Sequence, residues 1–357
     1  VSGALLMLLF LADIFLTILY ARAGTGLLAP TWNRMVWRAL RVLAGRRRGA
    51  LLSFAGPLIV ILLIGFWALG LTLGAALIIQ PELGGAIRPS SGEASTDIVT
   101  ALLVAGNSLS IVGGGDYAPH STATRLVFLA NSLIGASVLS MVLSYLVQVY
   151  AALRERNALA LTVDLMSDGT GEASEMLARL MPDGDASETV SGLDNLVHAL
   201  AEVKEAHHFY PLLFYFRFHD PLYSVSRTCF VLLDLTMLID HALDRRRYGA
   251  IGRSAATTSL HRGALLLLQT LDRHFATART PGADAAQAWQ DRQSYMAAVQ
   301  KLAYRGIATR AEGADGYASA RRTWEPIVCR VAAAMGYDMA EIDTRRTENP
   351  PQSRGVE

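Results

Sequence analysis

Only two cysteines, Cys229 and Cys329, occur in 357 residues. Both fall in the part of the chain that the charge pattern below assigns to the cytoplasm, so no disulfide framework is expected. Net charge is also lacking: 32 basic against 31 acidic residues leave +1. That argues against a nucleic-acid partner gathered by bulk electrostatics. No glycine fingerprint follows a strand pattern, so a nucleotide-binding regulator is not visible. No nucleophile, base and orienter can be grouped, and no enzyme is expected. Beyond residue 152 long apolar runs disappear, and alternating strand patterns are few throughout. Acidic residues are missing between Arg22 and Arg48, a stretch that also holds Arg34, Arg38, Arg41, Arg46 and Arg47.

What is present is hydrophobic residues, 52% of the chain, concentrated before residue 152. Three stretches, Ala4 to Tyr20, Leu51 to Ile79 and Leu126 to Tyr150, reach the roughly 18 to 20 residues that cross a hydrocarbon core about 30 Å thick. The first is too long for a signal-peptide core, and no small-residue cleavage site follows it. By the positive-inside rule the arginine loop after it is cytoplasmic. The second span then runs outward, and the third returns to an exit marked by Arg154 and Arg156. The reading is a multi-pass cell-membrane protein with a cytoplasmic C-terminal domain. Asp13, inside the first span, is costly at membrane depth and is expected to face protein through a structural hydrogen bond. Trp32, Met35, Val36, Ala39, Leu40 and Leu43 follow Pro30 at helical spacing. With arginines opposite and the two tryptophans Trp32 and Trp37, this predicts an interfacial helix on the inner leaflet.

Between the second and third spans, Pro81, Gly84, Gly85, Pro89 and Gly92 break an outer loop. Ser95 or Thr96 is expected to cap a short helix over 96–109, with Asp97 in its first turn. Such a helix is too short to cross, which fits a re-entrant segment. It leads into Ser108-Leu109-Ser110-Ile111-Val112-Gly113-Gly114-Gly115-Asp116. As a bare string, Gly-Gly-Gly-Asp is also an ordinary turn; its place between a short apolar helix and a third span favours a pore loop.

This loop resembles the Thr-Val-Gly-Tyr-Gly-Asp selectivity filter of the potassium channel-like superfamily. Outer helix 51–79, pore helix 96–109, filter 111–116 and inner helix 122–150 follow in that family's order, within a pore domain spanning 50–151. The resemblance implies an all-α membrane protein whose filter carbonyls, from Ile111, Val112, Gly113 and Gly114, replace an ion's hydration shell. Gly113 and Gly115 take the two filter glycines, whose positive φ turns successive carbonyls to one axis, and Asp116 stands at the outer mouth. Ile111 replaces the family's threonine and Gly114 its tyrosine. The bracing aromatic positions are Leu103 and Val104 here, so ion preference is left open. Asn107, with Ser108 and Ser110, is expected to support the filter, its amide bonding Asp116 or filter backbone; satisfaction of the last helical turn is the competing reading. Gly135 falls where the family keeps a hinge glycine, and Leu139, Leu143 and Val147 continue one face that suits a dewetting gate. Close packing for the glycine, and lipid or core contact for the others, stand beside that reading.

Implied too are a homotetramer in a lipid bilayer, a permeant monovalent cation (potassium by family) and no other metal or cofactor. Residues 1–49 read as a first span plus the interfacial helix, 152–344 as a helical cytoplasmic domain, and 345–357 as a disordered tail. The domain's amphipathic patterns fall at Glu172–Leu180, Val190–Ala206, Ser226–Arg246, Ser254–Ala276, Ala285–Arg305 and Tyr317–Met335. It would regulate opening or stabilise assembly, and a regulatory ligand would be unidentified. His207 to His219 is an aromatic and histidine cluster without zinc-ligand spacing, read as core packing or docking. Asp240, His241 and Asp244 read as a solvated face of one helix. The alternative function is a nonconducting sensor or scaffold that keeps the pore module as an anchor.

Overall fold

The computed structural model describes residues 1–20, 26–45, 48–110, 115–276 and 285–346, and gives side chains for these except 48–50, 285–289 and 346. It divides into two compact units: Val1–Leu40 with Gly56–Tyr150, and Arg41–Ala55 with the chain from Ala151 onward. The stretch 41–55 thus sits with the second unit, although the sequence boundary fell at residue 50.

In the first unit, α1 (Ser2–Ile18) and α4 (Ala55–Ile79) lie side by side, separated in the chain by α2 (Ala29–Ala44) and α3 (Arg48–Ser53). Gly70 and Gly74, one turn apart, let α1 approach closely. A β-carbon on Gly70 would stand 2.2 Å from the Phe10 ring, and one on Gly74 2.6 Å from Met7 Cγ. This is small-residue packing of membrane helices, where backbones gain dispersion contact by excluding side chains. α1 has 17 residues, about 25 Å at 1.5 Å per residue. Among the described residues two longer helices, α4 and α6 (Thr122–Met166), are long and apolar enough to cross a membrane.

Asp13 is fully buried in this unit. Its Oδ1 accepts from Leu28 N at 2.7 Å and Ala29 N at 3.2 Å, and its Oδ2 accepts from Trp67 Nε1 at 2.8 Å. The carboxylate thus holds the N-terminus of α2, where unpaired N–H groups favour an anion, and ties it to α4. Both tryptophans of the helix expected at the lipid interface pack against protein. Trp32 stacks on Phe66 at 4.3 Å, and Trp37 is 5% exposed.

β1 (Ile87–Pro89) pairs antiparallel with β2 (Tyr117–Pro119), Arg88 opposite Ala118. Between them, α5 (Ile98–Leu109) buries Ala101, Val104, Ala105 and Ser108. α6 follows as one helix of 45 residues, passing the expected end at Tyr150. The charged triplet Arg154-Glu155-Arg156 does not end it, and the first helix breakers beyond come at Gly169 and Gly171, both at positive φ.

The second unit is helical: α7 (Ala173–Leu180), α8 (Thr189–Phe209), α9 (Val225–His241), α10 (Arg245–Gly252), α11 (Ala255–Phe275), α12 (Ala285–Tyr304), α13 (Ala314–Met335) and α14 (Met339–Ile342). α9 is central, with only Arg227, Asp240 and His241 escaping full burial. The pattern read as one helix over Ser226–Arg246 breaks because Asp244 caps α10, accepting from Arg246 N and Arg247 N at 2.9 Å. Asp240 and His241 end α9 and are half-buried rather than solvated. Burial raises the Asp240 pKa and lowers that of His241.

Arg321, 1% exposed, lies among Asp343 at 2.6 Å, Glu325 at 3.0 Å, Asp291 at 3.2 Å and Asp234 at 3.9 Å. Burial opposes its charge, but Tyr317, Glu325, Asp343 and Asp234 outweigh that and raise its pKa. Arg345, expected to begin a disordered tail, pairs with Asp234 at 3.1 Å and Asp343 at 2.9 Å. The fold therefore includes Arg345, and the tail from 347 lies outside the described residues.

Candidate pore site

The first device of the site is the start of α5. Asp97, rather than Ser95 or Thr96, is the N-cap. Its Oδ1 accepts from Thr100 N at 2.8 Å, and its Oδ2 accepts from Thr100 Oγ1 at 3.0 Å and from Ser95 Oγ. An acceptor there satisfies orphan N–H groups of the first turn. Only the aspartate reaches Thr100 N, so Ser95 serves its carboxylate instead.

The far end of α5 is clamped to α6. Ser108 Oγ donates to Ala105 O at 2.8 Å and accepts from Asn131 Nδ2 at 2.9 Å, while Ser132 Oγ donates to Ser108 O at 3.0 Å. Asn131 and Ser108 are 2% and 5% exposed. The carbonyl of the last turn, which has no partner within a helix, thus gains one from the next helix. Gly135 lies one turn beyond. A β-carbon there would stand 1.8 Å from Leu109 O. Glycine is required because α5 ends directly against α6, and α6 runs through this position unbroken. The position read as a hinge is in this structure a contact.

Beyond α5, Ser110 N donates to Gly106 O at 2.9 Å. The filter positions Ile111, Val112, Gly113 and Gly114 lie outside the described residues. Chain description resumes at Gly115 and Asp116, both exposed. Asp116 O accepts from Ser90 N at 2.5 Å and Ser90 Oγ at 3.0 Å, so the outgoing strand is fixed to the outer loop. Tyr117 extends this tie, its hydroxyl accepting from Ser95 N at 2.8 Å. A β-carbon on Gly115 would stand 2.7 Å from Asn107 Nδ2. The Asn107 amide thus lies against the end of the loop.

Leu103 and Val104 separate in role. Val104 is 4% exposed and joins the cluster of Ala75, Ala76 and Ile79, whereas Leu103 is 65% exposed on an open face of α5. Leu103 and Asn107 border a cavity of about 500 Å³ whose other walls include Gly115, Asp116, Tyr117 and Phe128. Leu139, Leu143 and Val147 are 45%, 55% and 68% exposed on α6. The reading from sequence missed Asn131 and Ser132. An asparagine inside an apolar span was the available signal, since a polar amide at that depth requires a partner.

Outside this site, the 207–219 cluster is packed rather than metal-binding. Arg156, 2% exposed, donates to Leu213 O and Phe216 O at 2.9 Å each, and Phe214 stacks on Phe275 at 4.0 Å. Burial lowers the Arg156 pKa to about 10. Burial, then the neighbouring Arg156, lowers that of His207 to about 4. No group of metal-ligating side chains is present among the described residues.

The profile of a family described as "Ion channel" matches residues 58–152, which run from α4 to just past the membrane part of α6. The chain is also similar to the uncharacterized membrane protein YdjJ of Bacillus subtilis (strain 168), with 25% identity over 171 residues. That alignment takes in 48% of this chain and 50% of the relative, so the chain spans about half the length of the curated protein it matches. No solved structure matches. The matched segment is a potassium-channel-like pore module in an all-α membrane protein.

Proposed function

We propose that four copies of this chain form a cation channel. Each supplies one α5, one 111–116 loop and one α6, and monovalent cations pass the carbonyls of the loop. Potassium is the ion the family resemblance suggests. Asp116 concentrates cations at the outer mouth, and Leu139, Leu143 and Val147 line the gate. No further cofactor takes part. The observation that carries this reading is the anchoring of α5. A 12-residue apolar helix is capped at one end, buried along one side and clamped at the other end by Ser132 and by the contact at Gly135. The loop leaving it therefore starts from a fixed point. Irregular backbone at membrane depth persists only when buried in protein or lining a watery path.

The uncovered state of α6 supports assembly. In its most apolar window 11% of residues are buried, against 44% for α4. The second unit belongs in the cytoplasm by charge. It includes Arg41–Ala55, within which Arg46, Arg47 and Arg48 stand without an acidic residue, and Leu52 of that stretch packs against Gly336. That the arginine-bearing linker belongs to the helical unit supports a cytoplasmic place for both.

The test is reconstitution of the purified full chain into liposomes with opposed potassium and sodium gradients. A tetrameric mass with cation flux, and a reversal potential that follows the potassium gradient, is expected. A verified tetramer that passes no ion under any gradient overturns the channel and leaves the module as an anchor.

A further inference from the structure

Helix α2 uses only part of its circumference on protein. Asn33, Val36 and Trp37 are buried and Trp32 stacks on Phe66. On the open side Arg34 and Arg38 are exposed one turn apart, and beside them so are Met35 and Ala39. Residues four apart share a helix face, and a step of one residue turns about 100°, so these are two parallel rows, one cationic and one apolar. The spacing put Met35 and Ala39 on one face with Trp32 and Val36. Packing divides that face, leaving Met35 54% exposed and Val36 only 8%. Arg41 and Val42 continue the two rows in the sequence.

Neither Arg34 nor Arg38 meets a carboxylate among the described residues; Arg34 Nε donates to Pro30 O at 3.1 Å, within its own helix. No acidic residue stands between Arg22 and Arg48, so the local sequence supplies no counter-charge. The two arginines are about 6 Å apart along the axis, and planar guanidiniums so spaced can bracket one phosphate. An inorganic anion would satisfy the arginines and leave Met35 in water. A molecule that carries hydrocarbon next to its phosphate covers both rows at once.

We propose that this face of α2 is a binding site for an anionic phospholipid, its phosphate held between Arg34 and Arg38 and its chains lying over Met35 and Ala39. An interfacial helix needs only a boundary between polar and apolar surface. Two arginines without a counter-charge add a preference among lipids, because a zwitterionic headgroup carries its own cation and an anionic one does not. The site rests on the membrane reading of the first unit and is independent of conduction.

Native mass spectrometry tests it. The full chain, delipidated in detergent, is offered equal amounts of phosphatidylglycerol and phosphatidylcholine, and the first lipid retained is identified. Phosphatidylglycerol is expected to lead by about fivefold, the worth of roughly one arginine near an anionic headgroup. Arg34→Gln combined with Arg38→Gln should bring the ratio to within about twofold of unity. Arg88→Gln combined with Arg125→Gln removes the same charge from exposed positions of the outer loop and the start of α6, and should keep the parent's ratio. A parent without preference, a preference that survives Arg34→Gln with Arg38→Gln, or an equal loss in both double variants overturns the site. Ion flux does not enter the measurement, so a failure here leaves the channel reading standing and a failure of conduction leaves the site standing.

Discussion

Replacing Gly135 with alanine asks whether this glycine serves flexibility or contact, and the two answers differ in sign. Alanine is the better helix former by about 0.8 to 1 kcal/mol, so a glycine in open space would gain stability from the change. At Gly135 the new methyl would stand 1.8 Å from Leu109 O and 2.8 Å from Leu109 C. A carbon-to-carbonyl contact needs about 3.3 Å or more, so α5 and α6 must separate by roughly 1.5 Å. The opposing atom is backbone, and no rotamer change relieves it. Overpacking of this kind costs about 1–3 kcal/mol, which exceeds the propensity gain. The shift also pulls Ser108 O away from Ser132 Oγ, now 3.0 Å, at about another 1 kcal/mol. Gly65 is the matched control, a helical glycine of α4 with nothing within 4 Å of its added β-carbon. Thermal unfolding in detergent should show Gly135→Ala below the parent by about 1–3 kcal/mol and Gly65→Ala at or above it. Liposome flux should fall in the first variant alone, because the filter loop begins two residues beyond Leu109. Equal stability and flux in both variants would refute the contact argument.

Three further outcomes follow from the buried polar groups. Asp13→Asn keeps an acceptor for Leu28 N and Ala29 N but turns a donor toward Trp67 Nε1, so a loss of about 1–3 kcal/mol is expected; adding Trp67→Phe should cost less than the sum of the single changes, and strict additivity in that cycle would count against the bond. His207 takes up a proton near 6.5 when unfolded and only near 4 when folded. Stability should therefore decline as pH falls from about 6.5 to 4, by up to about 3 kcal/mol. His207→Gln should remove that part of the slope in a pH series of denaturation curves, and parallel curves for the two proteins would refute it. Arg321→Met removes the cation nearest Glu325 and leaves Asp234 and Asp343 to Arg345 alone, and should cost about 3–5 kcal/mol by calorimetry; a neutral result would mean that the cluster is not desolvated.

Local pattern was legible wherever one short-range rule dominates. The amphipathic spacing predicted α11 over Ser254–Ala276 and the structure has Ala255–Phe275, because Ser254 caps through Thr257 N at 3.2 Å. The order of long helix, short helix, loop and long helix, with Asp13 turned to protein, was equally readable, since hydrophobic length and the cost of a buried carboxylate are properties of the chain alone. Contacts between distant residues were not readable. The resemblance gave Gly135 as a hinge, with close packing as the other reading, and only the structure shows that Leu109 O occupies the space a side chain there would need. Trp32 and Trp37 carried the composition of a lipid interface, and the stacking of Trp32 on Phe66 was not in that composition. Nothing in the run from Arg154 to Met166 told that the inner helix continues into the second unit, because helical propensity persists through charged residues and only the carbonyls of Leu213 and Phe216 account for the burial of Arg156. The sequence by itself determined which segments meet lipid and which meet water, through transfer free energy summed along the chain. The tertiary structure alone decided which residues hold the pore helix in place, because those bonds join positions more than twenty residues apart whose meeting depends on how the helices pack.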